Sequence, residues 1–159
     1  MAQAYTATVV WARDGAAFTD QRYSRAHRWL FDGGVEVQAS SAPSSVPPPL
    51  SREDAVDPEE ALVAALSSCH MLFFLAFAAK AGFVVDEYRD GATGRMSRNE
   101  RGKLFVSHVT LDPTISFSGD KRPSPDELAA LHHRAHDECY LANSVRTDVV
   151  VAGLPPAAP

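Results

Sequence analysis

The chain has 159 residues, of which 45% are hydrophobic and 22% charged, the size and make-up of one ordinary domain that can bury a core. Its net charge of −5 and its fifteen scattered Lys and Arg residues form no basic patch, which argues against nucleic acid as a partner. The N-terminal MAQAYTATVVWARDG lacks the basic-then-apolar order of a secretory signal, so a cytoplasmic address is expected, where two cysteines do not form a structural staple and any bond between them is transient and chemical.

In chain order, YTATVVWA at 5–12 alternates and is rich in β-branched and aromatic residues, which predicts a strand. HRWLFDGGVEVQA at 27–39 predicts a hairpin turning at Gly33-Gly34. Residues 40–56, SSAPSSVPPPLSREDAV, are rich in Ser and Pro and have no period, so a loop is expected there. Asp57 then offers an N-cap, Pro58 suits the first helical position, and Glu60 completes a capping box. Gly82 supplies the stop.

Between Ala61 and Ala79 that helix carries no formal charge, a length that approaches a membrane span. Its context argues otherwise: it stands alone, Ser67, Ser68, Cys69 and His70 sit at its centre, and no aromatic belt or basic loop flanks it. A helix apolar nearly all round must be covered on every side. A second copy of the chain is the expected cover, because a domain of this size does not wrap such a helix alone.

Beyond it, FVVDEYRDGATGRM at 83–96 and KLFVSHVTLDPTISF at 103–117 predict a long strand pair turned at Asn99-Glu100-Arg101-Gly102. Ser124-Pro125-Asp126-Glu127 announces a second helix with its own capping box. On that helix Leu128, Leu131 or His132, Ala135 and Cys139 share one face, which turns Cys139 inward. A last strand is predicted at 144–152, and the tail 153–159 is expected to fray. Strands, helix, strands, helix and strand make an α+β class in a single domain over 1–159.

Both cysteines therefore lie on helices or at their ends, seventy residues apart. A nucleophilic cysteine must be a thiolate, which an apolar helix disfavours by desolvation, so a cation must compensate. Arginine is charged at every relevant pH, and Arg13, Arg22, Arg25 and Arg28 all lie near the N-terminus. Glu59, ten residues before Cys69, is roughly 15 Å away along the helix axis. It would not touch the sulfur, but it could hold an arginine that does.

At these residues, Asp57-Pro58-Glu59-Glu60 with its spacing to Cys69, and AHDECYLANSV with Cys139, the chain resembles the OsmC/Ohr family of osmotically inducible and organic hydroperoxide resistance proteins. The resemblance runs over most of the chain. It implies an OsmC-like fold, antiparallel sheets around a long buried central helix, in an intertwined homodimer with active sites at the subunit interface. It implies a thiol-dependent peroxidase in which Cys69 attacks a hydroperoxide, Cys139 closes an intramolecular disulfide, and Glu59 positions an arginine. Arg25, in Tyr23-Ser24-Arg25-Ala26-His27, is the first candidate for that arginine, and Arg13, in Arg13-Asp14-Gly15, the second. No bound cofactor is implied; an external dithiol, such as a lipoylated protein, is the reductant. The chain departs from the family pattern at His70, Met71 and Tyr140, which follow the two cysteines.

Plainer readings stand beside this one. Either cysteine could be inert core packing, Glu59 a favourable charge at a helix N-terminus, and Arg25 a solvated strand residue. His70 points about 100° from Cys69 around the helix and is expected at the surface or in a cap. His132, His136 and Cys139 have spacings compatible with zinc. The Ser/Pro loop, Met71 and Phe73-Phe74 could line a pocket for an apolar ligand, with the cysteines as bystanders.

Overall fold

Capping chemistry sets both ends of the long helix. In this computed structural model, which describes residues 3–154, helix α1 runs Pro58–Lys80. The Asp57 carboxylate accepts from the Glu60 N–H (2.8 Å), and Glu60 in turn accepts from the Asp57 N–H (3.2 Å), the reciprocal capping box expected from the sequence. At the other end Gly82 adopts φ 82°, its N–H bonds to the Ala79 carbonyl (3.0 Å), and the Phe83 N–H bonds to the Ala78 carbonyl (3.0 Å). That is a Schellman closure, and the left-handed residue it needs explains the glycine.

Two compact units form, Met1–Ala61 and Leu62–Pro159. In the first, β1 (Ala7–Val10), β2 (His27–Phe31) and β3 (Glu36–Ala39) make an antiparallel sheet with Val9 opposite Trp29 and Trp29 opposite Val37. The predicted hairpin turn is present, with Gly34 at φ 80° and its N–H on the Phe31 carbonyl (3.0 Å). The first strand is shorter than the predicted 5–12. Trp11 leaves the ladder, donating its indole N–H to the Ser24 carbonyl (2.8 Å) and packing on Phe18 and Tyr23. Residues 40–55 contain neither helix nor strand; a bridge between Ala39 and Val56 ties the end of the segment back, and the Arg25 N–H bonds to the Leu50 carbonyl (2.7 Å) within it.

The second unit holds the rest of α1. Leu66, His70, Phe74 and Ala78, each one turn from the last, form its buried stripe. The row Ala64, Ser68, Leu72 and Ala76 faces outward, with Leu72 62% exposed. Within one chain, then, the helix is left uncovered along this row, as expected for a chain of this size.

The long strand pair is present but broken into two sheets. β4 (Val84–Asp90) pairs with β7 (Pro113–Ser118), and β5 (Thr93–Arg98) pairs with β6 (Leu104–Leu111) across the predicted 99–102 turn. At the break, the Asp112 N–H bonds to the Asp90 carboxylate (2.7 Å) rather than to a ladder carbonyl. The last strand, β8 (Asp148–Val151), is shorter than the predicted 144–152: Ala142–Ser144 form a 3-10 turn, and the chain enters the ladder only at Asp148. It pairs parallel with β6, so the β5-β6-β8 sheet is mixed rather than wholly antiparallel, while the β4-β7 pair is antiparallel. Helix α2 (Pro125–Glu138) begins at the predicted box: Glu127 N–H to Ser124 Oγ is 3.2 Å and Ser124 N–H to the Glu127 carboxylate is 2.8 Å.

Two apolar clusters hold α1 in this unit. Leu66 packs with Val109, Leu111 and Val149 of the β6/β8 pair. Phe74 and Ala78 pack with Phe83 and with Leu131 and Ala135 of α2. The inward face predicted for α2 is therefore correct, and it ends at Cys139.

Candidate active site

Cys69, Phe73 and Phe77 lie at i, i+4 and i+8 on α1, one half-buried row beside the buried stripe. Cys139 follows the last residue of α2 and turns the chain out of the helix with φ −65° and ψ 110°. Its thiol is 1% exposed, whereas Cys69 is half-buried, and both are free thiols. Burial, and next the hydrogen-bonding neighbour Cys69, push the Cys139 thiol up to about 11. Cys139 is thus a buried, protonated thiol close to Cys69.

The turn that presents Cys139 is held by its neighbours. The Ala142 N–H donates to the Cys139 sulfur (3.4 Å), and the Asn143 side-chain amide donates to the carbonyls of Asp137 (2.9 Å) and Cys139 (3.0 Å). Asn143 so satisfies carbonyls that the end of α2 leaves open. Tyr140 closes over the same place, its ring edge-on to Phe73 at 5.1 Å, while remaining largely exposed. On α1, Ser67 donates to the Asp90 carboxylate, the same carboxylate that holds Asp112 at the break between the sheets.

The expectation for His70 fails. Its side chain is 1% exposed and bonds through Nε2 to Nδ1 of His132 (3.0 Å), itself 4% exposed. Burial, then the neighbouring His132 and His136, depress the His70 imidazole to about 4 against the opposing pull of Asp90. Burial and His133 likewise depress His132 to about 4. Periodicity on each helix separately carried no sign of this pair, since the partner lies sixty-two residues away. As for the zinc alternative, no three His, Cys, Asp or Glu side chains converge on a metal position among the described residues.

Arg25 and Glu59 belong to the first unit and line a cavity of 510 Å³ together with Val9, Trp11, Phe18 and Tyr23. Phe18 and Tyr23 stack at 4.7 Å, and Trp11 packs against both. The Arg25 guanidinium lies 3.9 Å from the centre of the Tyr23 ring and donates to the carbonyls of Gln21 (2.8 Å) and Tyr23. No ion pair joins Arg25 to Glu59 among the described residues, although they share the cavity wall. Arg13 is committed to a turn, donating to the Ala16 carbonyl (3.1 Å).

An α+β protein with one thiol on a long apolar helix and a second close to it at the end of another helix defines a dithiol protein of the OsmC type. Residues 51–152 match the family profile described as OsmC-like protein, and the chain belongs to that family. An OsmC-like protein of unknown function from Vibrio cholerae is 52% identical over 94% of this chain and 98% of its own, with a TM-score of 0.92. An OsmC-like protein from Mycoplasma pneumoniae shares the fold at 16% identity (TM-score 0.70, coverage 95% and 96%). So does an organic hydroperoxide resistance protein from Elizabethkingia anophelis at 18% identity (TM-score 0.66, coverage 95% and 98%). No curated protein matches the chain.

Proposed function

We propose that the protein is a thiol-dependent peroxidase that reduces organic hydroperoxides. The observation that carries this reading is the approach of the buried, protonated Cys139 to Cys69 from a separate helix. Inert core cysteines have no reason to be directed at one another, whereas a nucleophile and its resolving thiol must be. Organic hydroperoxide resistance proteins of the same fold make such a substrate a natural one.

In the proposed cycle the Cys69 thiolate attacks the terminal oxygen of ROOH. The O–O bond breaks, Cys69 becomes a sulfenic acid, and the alkoxide leaves, taking a proton to become ROH. Arg25, positioned by Glu59, is proposed to stabilise the charge on the departing oxygen. Cys139 then attacks the sulfenic sulfur, forming the disulfide and releasing water. An external dithiol, such as a lipoylated protein, restores both thiols. A homodimer is supported by the outward row Ala64, Ser68, Leu72 and Ala76 on an otherwise apolar helix. We place the protein in the cytoplasm, where dithiol reductants are at hand.

Stopped-flow oxidation of the reduced protein by cumene hydroperoxide and by hydrogen peroxide, with thiols counted before and after, tests the proposal. Rapid loss of two thiols per chain, faster with the organic peroxide, is expected; oxidation no faster than that of a free thiol overturns it. The second reading, a binding protein for an apolar small molecule, is favoured by the aromatic cavity around Trp11, Phe18 and Tyr23. It would be recognised by ligand binding with slow thiol chemistry.

A further inference from the structure

The buried imidazole pair has no part in the cycle just described, yet it joins the two helices that carry the thiols. His70 follows Cys69 on α1, and His132 lies seven residues, about two turns, before Cys139 on α2. Their ring planes are 8° apart with centroids at 5.3 Å, while the bonded nitrogens are 3.0 Å apart. With the bonded nitrogens only 3.0 Å apart, centroids as far apart as 5.3 Å require the rings to meet edge to edge near one plane, the geometry of a shared N–H···N bond. Phe74 covers His132 at 4.5 Å, and the Tyr88 ring lies over Phe74 at 5.5 Å.

Apolar contacts between α1 and α2, such as Phe74 with Leu131 and Ala135, hold the helices together without fixing how far one slides along the other. A buried hydrogen bond does fix it, because a displacement of about 1 Å leaves two polar nitrogens unpaired in an apolar site. We infer that His70 and His132 are positioning residues: their bond sets the register of α2 on α1 and thereby holds the Cys139 thiol where it meets Cys69. As a role in disulfide closure this rests on the dithiol cycle proposed above. The reaction it governs is Cys69–SOH + Cys139–SH → Cys69–S–S–Cys139 + H₂O, in which the S–O bond breaks and oxygen leaves as water with both protons.

Two substitutions separate this role from mere packing. His132→Phe keeps a ring against Phe74 and removes both nitrogens. His132→Asn gives up the ring and keeps a polar nitrogen or oxygen near the place of Nδ1. In full-length protein equilibrated with reduced and oxidised dithiothreitol, the Cys69–Cys139 disulfide should be about tenfold less favoured in His132→Phe than in the parent, a shift of about 30 mV for a two-electron couple. His132→Asn should stay within about threefold. The pair His70→Phe and His70→Gln, the glutamine amide reaching toward the place of Nε2, repeats the test from α1 and serves should a His132 variant fail to fold.

The reverse order, with the Phe variants like the parent and the Asn and Gln variants impaired, overturns the inference, and so does equal behaviour of all four. The equilibrium involves no peroxide, so the two readings can fail separately. A parent that closes its disulfide in a histidine-dependent way but ignores hydroperoxides loses the peroxidase reading and keeps this one. A parent that reduces hydroperoxides rapidly while His132→Phe closes normally loses this one alone.

Discussion

Gly94 of β5 passes so close to Val63 of α1 that a Cβ at position 94 would lie 2.6 Å from Val63 Cγ2. The strand and helix touch there with no room for a methyl group, one turn before the buried stripe begins at Leu66. Gly94→Ala must push β5 from the helix or force Val63 out of its rotamer, at a cost of about 1–3 kcal/mol. Urea unfolding checks this as a lower midpoint at unchanged slope, and Gly91→Ala, where a Cβ meets nothing within 4 Å, is the control.

Removing the resolving thiol should stop the cycle after its first step. Cys139→Ser keeps a group that can accept from the Ala142 N–H, so the turn should survive. With one equivalent of hydroperoxide the variant should accumulate a sulfenic acid on Cys69, and with excess it should advance to the sulfinic acid, read by intact mass. Normal turnover with a dithiol would remove Cys139 from the mechanism.

Arg25→Ala should slow the reaction with hydroperoxide by about 10²-fold if its guanidinium meets charge in the transition state. Arg13→Ala should change the rate little. The two variants compared in one stopped-flow series decide between the candidate arginines. Loss in Arg13→Ala with retention in Arg25→Ala would reverse the assignment.

Acid should weaken the fold through the histidine pair. An imidazole in an unfolded chain gains its proton near 6.5, whereas His70 and His132 are depressed to about 4. Between those values the unfolded state binds protons that the folded state does not, so stability is full above about pH 6.5 and falls as the pH drops toward 4. Below about 4 both states are protonated and this loss levels off. Each imidazole contributes on the order of 3 kcal/mol across the window. Urea midpoints at pH 7, 5.5 and 4.5 should show the slope, and a double substitution, His70→Gln with His132→Asn, should flatten it.

Leu72→Glu places a charge in the outward row of α1. If a second copy covers that row, light scattering coupled to gel filtration should show the parent as a dimer and the variant shifted to the monomer. Identical masses would separate the exposed row from the interface.

Where a residue's role is set by its immediate neighbours, the sequence was readable. Asp57 with Glu60, Ser124 with Glu127, Gly82 and the Gly33-Gly34 turn are all local devices, and the structure has each where the sequence placed it. Leu128 to Cys139 likewise followed from helical spacing. What escaped depends on distant partners. At the split of the long strand pair Asp90 receives both Asp112 and Ser67, and β8 pairs parallel with β6 residues forty positions earlier, His108 with Asp148. His70 was misjudged because its angle to Cys69 on the helix says nothing about a partner on α2.

The unequal burial of the two thiols also bears on how an oxidised chain is restored. An incoming dithiol meets the more accessible sulfur, that of Cys69, and Cys139 then becomes the leaving group. A thiol whose proton is held up to about 11 departs reluctantly as an anion. In the proposed cycle the burial of the leaving thiol therefore works against regeneration, and a strong dithiol donor is the reductant that such a site calls for.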